Sequence, residues 1–220
     1  MKANRLRASL SSLSLKLVGL PLLVVAIAGD ARAALDLEPE DFRIYCGYLD
    51  ALEQPAVKKL KGKRRDAKIA RMAKMKPKRL MEHVQRAEKY GATCEEIGKK
   101  IEADAKAALN KELPGRIDLF VLDYGDPSHV VAAVTWKGID KKKLVEEAAL
   151  IARVLADESK ITRTIAVRGV DPRAPDRQAD EATWFEAKIS RMRAERIDKA
   201  KIADYAQSRY LRLFDGVVQK

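Results

Sequence analysis

Aromatic side chains are scarce, 5% of a 220-residue chain. A large β-sandwich core is therefore disfavoured, and an apolar content that leans on alanine suits helices with modest cores. Cysteine and histidine occur twice each, as Cys46, Cys94, His83 and His129. No paired Cys or His spacing of the zinc-binding kind appears, so neither a metal nor a cofactor is expected. The chain has no glycine-rich phosphate loop, no Gly-x-Ser-x-Gly elbow and no His-Glu-x-x-His. Those absences remove the catalytic chemistries that short motifs announce. Ser128 and His129 are neighbours in a turn, but successive residues of an extended chain point apart, which argues against a dyad. Asp118, Asp123 and Asp126 lack the Asp-x-Asp-x-Asp-Gly spacing of helix-loop-helix calcium sites.

Long apolar runs are missing too. The longest, residues 17–28, contains Gly19 and Pro21 and is 12 residues long, short of the roughly 20 that span a bilayer as helix. Lys2, Arg5, Arg7 and Lys16 precede it, and Ala31-Arg32-Ala33 follows with small residues at the two positions a signal peptidase reads. Residues 1–33 thus read as a secretory signal peptide cleaved after Ala33. The alternative, an uncleaved N-terminal anchor, must carry Asp30 and Arg32 into the span, at about 2.5–3.5 kcal/mol each at a helix centre. The mature protein is expected to be exported, either periplasmic or extracellular. In such a compartment thiols pair, and a Cys46–Cys94 disulfide closing a loop of 48 residues is the only bridge available.

What the chain has in abundance is charge, at 35%, distributed unevenly. Residues 58–89 hold 14 Lys and Arg against Asp66, Glu82 and Glu88, a local net of +11 that exceeds the +8 of the chain beyond residue 33. The densest cluster, Lys58, Lys59, Lys61, Lys63, Arg64 and Arg65, is the candidate binding site for an anionic partner. An acidic protein, an anionic polymer or an anionic membrane surface would fit. Nucleic acid is disfavoured by the export signal and by the lack of aromatic residues between the charges for base stacking. A solvated face with no partner is the plainer reading.

The composition changes at Leu113-Pro114-Gly115. Residues 34–113 are expected to form a helical module, with helices near 39–52, 65–75, 77–90 and from Cys94, the last opened by a capping box at Thr93. The disulfide would staple the first helix to the fourth. Residues 114–220 are expected to form a ββαββα domain. A hairpin of 117–123 and 130–136 is followed by a helix over 140–156 and a strand over 161–170 parallel to the hairpin's second strand. Residues 183–193 satisfy both a strand and a helical face, and strand is the preferred assignment. A closing helix spans 198–214. The fold class is α+β: a disulfide-stapled helical module, then a domain with a four-stranded mixed sheet.

Two functional expectations follow. The first is an exported non-catalytic binding or scaffold protein of the cell envelope with a basic helical face. The alternative is an enzyme acting on an anionic envelope polymer, with Asp123 or Asp126 as its acid.

Overall fold

A computed structural model describes residues 36–177, 179–204 and 207–220. The signal peptide expected at 1–33 lies outside the described residues.

Helices come first. α1 (Pro39–Glu53) starts with proline in its first turn and with Glu40 and Asp41, acids that complement the positive end of a helix dipole. Its inner side carries Phe42, Tyr45 and Cys46, as the three-and-four spacing predicts. A single turn, α2 (Pro55–Lys58), was not legible in the sequence. α3 (Gly62–Met72) both begins and ends three residues before the expected 65–75. It stops because Lys74 adopts a left-handed conformation, φ 54°. The Lys74 N–H then donates to Arg71 O and the Met75 N–H to Ala70 O, which closes the helix end. α4 (Pro77–Glu88) and α5 (Cys94–Glu112) follow. Thr93 caps α5 by accepting from the Glu96 N–H at 3.1 Å, while Glu96 reaches back to the Ala92 N–H at 2.7 Å.

The second half builds one mixed sheet in the order β1-β2-β3-β4-β5. β1 (Ile117–Asp123) and β2 (Val130–Lys137) form the expected antiparallel hairpin. The chain crosses through α6 (Leu144–Glu158) to β3 (Thr162–Val170), parallel to β2 as expected. The ambiguous segment is a strand, β4 (Thr183–Ser190), antiparallel to β3, and it runs into the short helix α7 (Arg191–Ala194).

The four-stranded expectation is wrong by one strand. In place of a closing helix over 198–214 the chain makes a 3-10 turn (Lys199–Asp204), a short α8 (Gln207–Leu211) and a fifth strand, β5 (Asp215–Gln219), antiparallel to β4. Tyr205 and Ala206, inside the range expected for that helix, lie outside the described residues. The reversal has a physical cause in Phe214. Its buried ring meets Phe185 edge-on at 6.1 Å, and Gly216 takes φ 62°, so the chain turns onto the β4 edge and the helix cannot extend. All five residues of β5 are exposed. A strand that buries no side chain leaves no alternation for sequence reading to find.

One face of the sheet is covered. Phe120, Val134, Trp136, Ile165, Val167, Phe185 and Ala187 are buried with Leu144, Ala148, Ile151 and Leu155 of α6. The same buried cluster continues through Ile97, Ile101 and Leu109 of α5 to Phe42 and Tyr45 of α1. Glu147 fixes α6 on the sheet, accepting from Trp136 Nε1 at 2.8 Å and pairing with Arg116 at 2.6 Å. Gly98 lets α5 approach the hairpin end, because a Cβ there would stand 2.4 Å from the Tyr124 ring. Among the described residues no helix is long and apolar enough to cross a membrane.

Candidate anionic-partner surface

Two devices hold the layer that carries the basic segment. The first is covalent: Cys46 of α1 and Cys94 of α5 are joined, with their Cα atoms 5.8 Å apart. Tyr45 reinforces the joint by donating its hydroxyl hydrogen to Ala92 O at 2.9 Å. This bond suits an oxidising compartment of the kind exported proteins reach. The second device is a buried ionic knot between α1 and α4. Asp41 accepts from Arg86 Nε at 2.9 Å and Nη2 at 2.8 Å, and lies 2.5 Å from His83 Nδ1. Two bare acceptors would not approach so closely, so the proton sits on Nδ1 and is donated to Asp41. The 2.8 Å contact between Arg86 Nη2 and that same Nδ1 is then a close approach, not a second hydrogen bond. Burial alone would raise the Asp41 carboxyl, but the hydrogen bonds and charges of Arg86 and His83 outweigh it and hold the group below its ordinary value.

On this frame the sequence-predicted residues occupy one continuous stretch. Lys58 ends α2, Lys59 follows it, Lys61 is the N-cap of α3, and Lys63, Arg64 and Arg65 fill that helix's first turn and a half. Two of the six are engaged: Lys58 with Glu53 at 3.0 Å, and Arg65 with Asp66 at 3.2 Å and the Tyr48 hydroxyl at 3.2 Å. Across residues 58–89, Lys58, Arg65, Arg79 and Arg86 have acidic partners, and among the described residues the other ten cations form no ion pair. Arg64, Lys68 and Arg71 form an exposed i, i+4, i+7 stripe along α3.

Several of these cations stand where local physics disfavours them. Neither α3 nor α4 has an acid in its first turn, whereas α1, α5 and α6 each have two. Lys63 and Arg64 on α3, and Lys78 and Arg79 on α4, place positive charge at the positive ends of helix dipoles. The N-caps are Lys61 and Lys76, and neither makes a side-chain cap. Lys74 occupies the left-handed position that glycine fills at about 1–2 kcal/mol less cost. Arg71, Lys74, Lys76 and Arg79 line, with Met75, an open cavity of about 590 Å³ at the α3–α4 corner. Sequence reading placed these four in the basic segment but not in the candidate site, because nothing in the spacing shows that the Lys74 turn folds them together.

The cost of this arrangement is measurable. Lys63→Glu with Arg64→Glu is expected to raise stability by about 0.3–1 kcal/mol per site through the dipole, read as a higher urea midpoint. A lower midpoint would show that these cations support the helix.

The candidate acids of the hairpin turn are occupied locally. Asp123 accepts from the Gly125 N–H at 3.0 Å, and Asp126 accepts from Ser128 Oγ at 2.6 Å and its N–H at 2.8 Å. Those bonds from Ser128 hold Asp126 below its ordinary value, the wrong direction for a general acid. The Ser128 hydroxyl is directed to Asp126, and His129 instead approaches Thr164 at 3.5 Å. Asp41, His83 and Arg86 escaped sequence reading. The only trace of them is that His83 and Arg86 are three residues apart beside the apolar stripe of α4.

Comparison with known proteins finds no matching family model, no matching curated protein and no matching solved structure.

Proposed function

We propose that this is an exported, non-catalytic binding protein whose α2–α4 face holds an anionic polymer of the cell envelope. The observation that carries the reading is the set of unpaired cations kept at a cost to the fold: Lys63, Arg64 and Lys78 at helix starts, and Lys74 in a left-handed turn. Sites where a sequence departs from local stability rules without compensation within the fold are where function is to be sought. A merely solvated face would be served as well by lysines elsewhere on the same helices.

Among the three partner classes, the surface chemistry favours a polymer. A protein partner calls for an apolar, aromatic-rich centre inside a polar rim, and Met72 is the one large apolar side chain of residues 58–89 that ranks as exposed among the described residues. The same lack leaves nothing to insert into a bilayer. Spread, unpaired Lys and Arg suit a flexible polyanion met by charge, with affinity that falls steeply with salt.

Heparin serves as a probe polymer. Reversing the unpaired Lys59, Lys61, Lys63 and Arg64 to Glu is expected to bring elution from immobilised heparin to markedly lower salt. Reversing Lys106, Lys111, Lys143 and Arg196, exposed cations away from this face, changes net charge equally and should leave retention much closer to that of the unaltered protein. Equal losses from both sets would mean that net charge alone governs retention, and the reading fails.

A further inference from the structure

A second cavity, of about 670 Å³, opens between the start of α1, the end of α4 and the start of β3. Its acids are already partnered. Asp36 and Glu38 pair with Lys160, Glu40 with Arg79 at 3.6 Å, and Asp41 with His83 and Arg86. Two of its cations are not: Lys89 and Arg163 line the cavity and make no ion pair or hydrogen bond among the described residues. His83 lines it as well. With Nδ1 committed to Asp41, Nε2 has no hydrogen-bond partner among the described residues and is not fully buried.

We propose that this cavity binds a small phosphate-type oxoanion between Lys89 and Arg163, with its P–OH donating to His83 Nε2 as the third polar contact. Because Lys160 alone serves both Asp36 and Glu38, Lys89 and Arg163 leave the cavity with one net positive charge, which matches a phosphate monoanion, and a guanidinium fork beside an ammonium suits tetrahedral oxygens. The buried Asp41 fixes the imidazole, so the third contact is preorganised. Arg163 belongs to β3, outside the basic segment, so this site and the polymer-binding face can fail separately.

Two histidines make proton NMR a direct reader. Inorganic phosphate, titrated at constant pH and ionic strength, is expected to shift the His83 ring resonances saturably in the millimolar range or below, with His129 unmoved. Arg163→Ala and Lys89→Ala, both at exposed positions, should each weaken binding about tenfold, the loss of one charge-assisted contact. Glycerol phosphate in place of the free ion tests an esterified source: binding as tight as that of phosphate marks a headgroup or polymer end, and weaker binding marks the free ion. The variant reversed at Lys59, Lys61, Lys63 and Arg64 should retain the site. Absence of a His83 shift, a shift that never saturates, or a saturating shift unchanged by Arg163→Ala overturns the proposal.

Discussion

Replacing Cys46 and Cys94 together with serine is expected to lower the unfolding free energy by about 4 kcal/mol, the loop-closure value for 48 residues. For a chain whose total lies near 5–15 kcal/mol, that is a large fraction. The bond links α1 to α5, and the helices between them, α2 to α4, carry the basic face. The packing of the first two is thin: α3 buries Ile69 and Ala70, and α2 buries Val57. Opening the bridge therefore frees the segment with the smallest core of its own, while the sheet keeps α6 across it. Urea unfolding of the oxidised protein against the double variant reads the loss directly. A change under about 1 kcal/mol would show that packing alone holds the helical layer.

Asp41→Ala should have the next largest effect, about 3 kcal/mol. The substitution leaves the buried His83 Nδ1–H without an acceptor and frees Arg86 from α1. Arg86→Ala should cost less, because its side chain is half exposed and water replaces part of what is lost. The acid limb of stability carries a second signature. Because the folded state holds Asp41 below its ordinary value, the unfolded chain takes up the proton first as pH falls. The contribution is fully present above about pH 4, the ordinary carboxylate value, and is lost as pH drops below it through the lowered folded value. Asp41→Asn should therefore flatten the acid limb of the unfolding midpoint plotted against pH. An unchanged slope would place the source of acid sensitivity elsewhere.

Much of the fold was legible because its segments announce themselves locally. Thr93 and Glu96 mark the start of α5, Gly125 to Ser128 mark the hairpin turn, and the alternation of Phe185, Ala187 and Ile189 places β4 on the sheet. The C-terminus was not legible for the opposite reason. β5 buries nothing, so its residues carry no periodic pattern, and its position depends on Phe214 finding Phe185 about thirty residues earlier in the chain. The disulfide followed from counting, since two cysteines in an exported chain leave one pairing. In the candidate site, the excess of charge was plain in composition, but its geometry was not. Lys74 reads as one lysine among many until its backbone shows a left-handed turn that gathers Arg71, Lys76 and Arg79 around one cavity. The Asp41–His83–Arg86 knot joins residues more than forty positions apart and leaves no local spacing signal.

The central claim, that the α2–α4 face is where an anionic polymer lies, is tested most directly by lysine footprinting of the native protein with and without heparin. Amine labelling is expected to fall at Lys59, Lys61, Lys63, Lys68, Lys74, Lys76 and Lys78, and to stay constant at Lys106, Lys111 and Lys143. Protection spread evenly over both groups, or confined to the second, would contradict it.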